Sequence, residues 1–483
     1  MGALLAVAGR IAVPDSPFGT PTGAARCGTV RAGGGALNTI PISPVERAAH
    51  VHGYESPYRL FIAASLTLGI GGGFLLAILL PLAQALEWDW GLRYQALVQA
   101  HGQLQLIGFA GLFTMGMSLR IMPRISSRPL AYPPLVRALV PLVVAALVLR
   151  SLALPAGDGV PRDVALIASA ALQLAGGAAF ATIVCRTLLH RDSKAESTAW
   201  FLLLGSLGYL AASIMSAQQM LETVRDGLPF EPLARHPSLL FVQQYGFVLM
   251  FLSGVATRAV PVFTGHPRRD GPARVAAVLL ASGVALSAGA WQWASYRVAT
   301  ETTARVFDAG LLLIAAAFLI VAMLTGVFRP AANRVAAASQ LQFQFVRSAM
   351  AWLAAGSLLL AWYATRAFAD GGPPDTFELD AARHIFTVGV TACMIVGMAM
   401  LIVPEFAARR MTRRDERMLI VPMLVALNAA VALRAWPAIA GTDWIGHTRG
   451  WPMAASGGLA TAVIVIFAAM FAQSYVEQRK PAA

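Results

Sequence analysis

The chain has 483 residues, 57% hydrophobic and 13% charged, and its mean hydropathy is positive. A soluble core of this length does not tolerate such a composition, so the class is a polytopic membrane protein. Its 37 Lys and Arg against 24 Asp and Glu give a net charge of +13, but no basic domain stands outside the apolar segments, which removes nucleic acid as a partner.

Residues 1–48 are rich in Gly, Pro and Ala and read as a disordered N-terminal tail. Residues 49–483 read as one transmembrane domain. Apolar runs of about 20 residues or more, the length that crosses the hydrocarbon, fall near 59–86, 95–122, 132–154, 163–188, 197–221, 238–263, 273–298, 306–328, 345–368, 381–404, 417–438 and 452–475. The fold class is therefore all-α with twelve membrane helices. Lys and Arg concentrate in the segments that a cytoplasmic N-terminus would put inside, most densely at Arg409, Arg410, Arg413, Arg414 and Arg417. Both termini are expected in the cytoplasm.

The second, sixth and tenth helices share one skeleton, Gly-x7-Gly-x6-Pro, about 140 residues apart: Gly108, Gly116 and Pro123, then Gly246, Gly254 and Pro261, then Gly389, Gly397 and Pro404. A repeat at fixed spacing decides architecture before any single motif does. Twelve helices divide into three direct repeats of four, about 55–190, 191–330 and 340–476. Two glycines eight apart lie about 80° from each other on a helix and leave a groove for a neighbouring helix or a flat cofactor. The proline is expected to end each helix.

Two of the eight histidines fall within apolar helices. His101 lies about 9 Å inside helix two by helical rise, and His384 lies a few residues inside helix ten. Ionisable groups at that depth are functional candidates by default, and neutral imidazole is the commonest axial ligand of haem iron. Paired positions on equivalent helices favour haem ligation by His101 and His384, with Gly108, Gly116, Gly389 and Gly397 offering the flat approach. In the middle copy Leu239 replaces the histidine, and His236 one turn earlier is a candidate third metal ligand. Gln103, Gln105, Gln243 and Gln244 fit either a cofactor pocket or interhelical hydrogen bonds. Among the arginines at the same end, Arg383 and Arg434 are the preferred partners for haem propionates, with Arg93, Arg235 and Arg449 also available. No Cys-x2-Cys-His occurs, so the haem would be b-type.

The run His101-Gly-Gln-Leu-Gln-Leu-Ile-Gly108-Phe109, continuing to Gly116 and Pro123, resembles the second-helix motif of NnrS proteins. His384-Ile-Phe-Thr387-Val388-Gly389 looks like that family's His-x-x-Thr-Val-Gly segment. The resemblance implies a twelve-helix haem protein, reportedly with copper, associated with nitric oxide metabolism and denitrification. Two departures stand out. Gln103 occupies the place of a second family histidine, and Glu405-Phe-Ala-Ala-Arg409 replaces the family's Gly-His-Thr-Gly-Arg. A neutral amide is a poor copper ligand beside imidazole, so haem without stoichiometric copper is expected. More distantly, the pattern is similar to haem-copper oxidase subunit I, with its pseudo-threefold bundle and haem ligands on helices two and ten. That chemistry needs further histidines on helices six and seven, and helix seven here has none. Oxygen reduction is not expected.

The expected function is thus a haem b membrane protein in nitric oxide response, denitrification or respiratory redox chemistry. Its partners would be the lipid bilayer and nitric oxide, a quinone or a respiratory electron donor. Any catalysis would be haem-dependent oxidoreduction. Two alternatives share the helix count, a secondary transporter and a structural or assembly partner of a respiratory complex. Transporters usually divide into two halves or inverted repeats, and three direct repeats argue against that.

Overall fold

The computed structural model describes residues 58–189, 196–330, 340–403, 413–440 and 446–479. The N-terminal tail, His50, His52, His190, Pro404, Arg409 and Arg410 lie outside them, as do the side chains of Arg413, Arg414 and His447. Twelve helices are long and apolar enough to cross a membrane: α1 Tyr58–Ala85, α2 Arg93–Ser126, α3 Pro133–Ala153, α4 Val160–Leu188, α5 Ser197–Arg225, α6 His236–Thr264, α7 Asp270–Tyr296, α8 Glu301–Leu324, α9 Gln340–Asp370, α10 Thr376–Ile402, α11 Arg417–Ile439 and α12 Gly450–Gln473. No strand occurs among the described residues. The protein is a multi-pass membrane protein.

Local chemistry sets several helix ends beyond the apolar runs. The α10 start is extended upward by Asp375, whose carboxylate accepts from the Phe377 amide at 2.7 Å while Glu378 accepts from the Asp375 amide at 3.0 Å. His384 is therefore the ninth residue of its helix, as His101 is of α2. Two prolines do not end their helices as expected. α2 continues past Pro123 to Ser126, and α6 continues past Pro261 to Thr264. A proline near a helix end removes only one ladder bond there, and the chain breaks instead at Ser127 and Gly265, both left-handed.

Nine helices form a closed ring, packing in the order α1, α3, α4, α5, α7, α8, α9, α11 and α12, with α12 returning to α1. α2, α6 and α10 stand inside it. Their apolar windows are 83%, 78% and 72% buried, against 33–56% for the ring helices. The end at which these three begin is called the upper face below.

The three inner helices share a backbone irregularity. Each widens into a π-helical stretch four residues before its first skeleton glycine: Leu104–Gly111, Val242–Val248 and Ile385–Ala392. A fourth lies in α1 at Gly69–Phe74. Such turns bond i to i+5 and recur at functional sites. Side chains take up carbonyls there. Ser65 donates to Phe109 at 2.6 Å, and Thr391 donates to Phe386 at 3.0 Å.

The second glycine of each skeleton faces a phenylalanine of the preceding ring helix. A Cβ at Gly116, Gly254 or Gly397 would lie 2.5, 2.6 or 2.7 Å from the Cβ of Phe61, Phe201 or Phe345. Seven residues after those phenylalanines come Leu68, Gly208 and Trp352, which approach the first glycines. The groove is filled by a neighbouring helix in all three cases. Below the π stretches a small, partly open cavity lies between the inner helices, and among the described residues no other helix lines it. Residues five, six and nine after the first glycine line it in each copy: Phe113, Thr114 and Met117, then Phe251, Leu252 and Val255, then Met394, Ile395 and Met398.

Candidate haem site

A chamber of about 590 Å³ opens on the upper half of the bundle between α2 and α10, with walls from α1, α11 and α12. That is within the usual size of a cofactor pocket. His101 projects from α2 and His384 from α10, and both line it.

Each imidazole is oriented through Nδ1. The His101 Nδ1 lies 2.9 Å from the carbonyl of Gly73, in the π stretch of α1. The His384 Nδ1 lies 2.8 Å from the carbonyl of Asp380, one turn back on α10, with the Asp380 carboxylate 3.3 Å away. A carbonyl only accepts, so both Nδ1 atoms carry a proton, which in the neutral ring leaves the lone pair on Nε2. Orientation of a histidine by a carbonyl or carboxylate behind it is the usual support of a metal-bound imidazole.

The upper rim is basic. Arg383, Arg434 and Arg449 line the chamber, with Asp380 as the acidic group among them. Asp380 takes Arg434 at 2.9 Å and Arg383 at 3.7 Å. Among the described residues, three guanidinium groups against one carboxylate leave two positive charges unmatched, and the buried Nη1 of Arg434 has no hydrogen-bond partner. A haem brings two carboxylates, so the donors and the charge fit it. Arg449 stacks over Phe377 at 5.0 Å.

The structure brings together His101, His384, Arg383 and Arg434 of the expected set. Gly108, Gly116, Gly389 and Gly397 are not on the chamber wall. Their open faces meet Leu68, Phe61, Trp352 and Phe345, so they serve helix packing. His236 also lies elsewhere. Its Nδ1 is 3.0 Å from Glu231, a fully buried carboxylate that also pairs with buried Arg150. Arg150 donates onward to Ser216 at 3.0 Å, and Gln99 clamps the Glu231 backbone through both its amide groups at 2.9 Å. Among the described residues no group of three or more His, Cys, Asp and Glu could hold a metal ion. Arg235 is engaged with Glu222 and stacks on Tyr296. Asp380 escaped the sequence reading, although its spacing of four from His384 puts both on one helix face.

The other two junctions between inner helices are closed. Gln103 and Gln243 join α2 to α6 by reciprocal amide bonds of 3.0 and 2.9 Å. Between α6 and α10, Tyr245 packs edge-on against Phe386 at 5.5 Å, with Phe318 beside both. Gln244 adds a bond to the Arg383 carbonyl at 2.9 Å.

Among known families, the model described as NnrS protein matches residues 57–479. No curated protein matches the chain.

Proposed function

The chain belongs to the NnrS family, and on that premise we propose that it holds one haem b in the chamber between α2 and α10. The observation that carries this reading is the pair of imidazoles lining one chamber, each with Nδ1 committed to a carbonyl. His101 and His384 would hold it through Nε2. Arg434, with its unpartnered Nη1, would take one propionate, and Arg383 and Arg449 the other. Asp380 fixes His384 and Arg434 together, so ligand and propionate anchor are oriented by one carboxylate. Held by both imidazoles, the haem would supply one-electron chemistry; held by one alone, it would leave the iron open to nitric oxide.

The bundle is read as three four-helix repeats about an axis through the central cavity, similar to the pseudo-threefold plan of haem-copper oxidase subunit I. Supporting it are the matched π stretches, the matched phenylalanines against the second glycines, and cavity-lining residues at the same three steps in each copy. A ring of nine around three does not resemble the two halves of a transporter. The upper face is read as the outer side of a bacterial inner membrane, with both termini cytoplasmic, on the distribution of Lys and Arg. The role is nitric oxide response or respiratory redox chemistry, in keeping with the family.

Purified full-length protein should show a b-type Soret band. His101→Ala and His384→Ala should each remove or shift it, and Arg434→Leu should weaken haem retention, whereas His236→Ala should keep the band. Protein that stays free of haem under ample haem supply would refute the assignment.

A further inference from the structure

The central cavity measures about 40 Å³ and lies between α2, α6 and α10. It is walled by Phe, Met, Leu, Ile and Val side chains and by Thr114, whose buried hydroxyl has no hydrogen-bond partner. A site needs roughly 10–15 Å³ by this kind of measure to hold one water, which also requires two to four polar partners. The size admits a small molecule, but one hydroxyl does not satisfy a water. Apolar cavities of this kind stay dry and accept apolar guests such as xenon. The cavity is also close to the chamber. Phe109 and Ala110 line the chamber, and Phe113 and Thr114 line the cavity four residues further along α2, about 6 Å by helical rise. Thr391 and Ile395 make the same step on α10.

We propose that this cavity is a binding site for one small, weakly polar gas molecule of the diatomic class, waiting one helical turn from the chamber. Such gases are poorly solvated by water and favour apolar surroundings, so a site lined almost wholly by apolar side chains suits them. That the physiological gas is nitric oxide rests on the function proposed above. That a gas binds here does not.

Xenon is the probe, applied under pressure to crystals of the full-length protein and followed by anomalous diffraction. One xenon is expected between Met117, Val255 and Met398. Val255→Phe, which fills the cavity from α6, should abolish that peak, and Leu252→Phe serves if the first variant does not fold. Each variant is checked for its haem band, so loss of the chamber and loss of the cavity read separately. No xenon at this position in the wild-type protein, xenon only in lipid-facing grooves, or an unchanged peak in a folded filling variant would each overturn the proposal.

Discussion

Arg150, Glu231 and His236 show what a single charged residue costs and contributes inside this bundle. Arg150 and Glu231 are both buried and bonded to each other. Removing one member of such a pair strands the other and typically costs about 3–5 kcal/mol, so Glu231→Ala should melt well below the wild-type protein. Burial alone would raise the Glu231 carboxyl, but Arg150 and then His236 outweigh it and hold it below the ordinary range. A depressed folded value means the stabilisation is complete above the unfolded value of about 4.3 and fades as pH falls from there through the folded one. The gap in melting temperature between wild type and Glu231→Gln should therefore narrow on acidification below about pH 4. Asp308 of α8 is the opposite case, fully buried with neither carboxylate oxygen hydrogen-bonded. A stranded buried polar group costs about 1–3 kcal/mol or more. Asp308→Leu should raise the melting temperature, and a fall would count against an unpaired carboxylate at this position.

At the scale of the helix, the skeleton glycines carry the packing. Gly116→Ala, Gly254→Ala and Gly397→Ala put a methyl 2.5–2.7 Å from a phenylalanine Cβ that cannot swing away. Overpacking of this kind costs roughly 1–3 kcal/mol. Gly289→Ala, with nothing within 4 Å of the new methyl, should be neutral or mildly stabilising, since alanine is the better helix former. Thermal unfolding of the four variants separates packing glycines from idle ones. The skeleton and its three copies were plain in the sequence. The π stretches were not, because an apolar run reports how much of a segment leaves water and says nothing of whether its carbonyls bond four or five residues on. The same limit explains Pro123 and Pro261: residue type predicts a helix stop, whereas the neighbouring turn tolerates one missing bond.

Across the whole molecule, the three junctions between inner helices have three different fates. An amide pair closes one, an aromatic cluster closes the second, and the third is open with two histidines on its wall. Haem content should therefore be about one per chain on quantitation of the pyridine haemochrome, and two or three per chain would mean that a closed junction opens in the membrane. Chain length, apolar spacing and the repeated glycines were enough to determine twelve helices, the likeness of three of them and the candidacy of His101 and His384, because transfer to hydrocarbon and a fixed residue interval are properties of consecutive residues. Only the folded bundle decided that the glycines face phenylalanines, that His236 turns to Glu231, and that Asp380 and Arg449 complete a chamber rim. A cavity is the space that side chains from distant segments leave between them, and no one of those segments carries its outline.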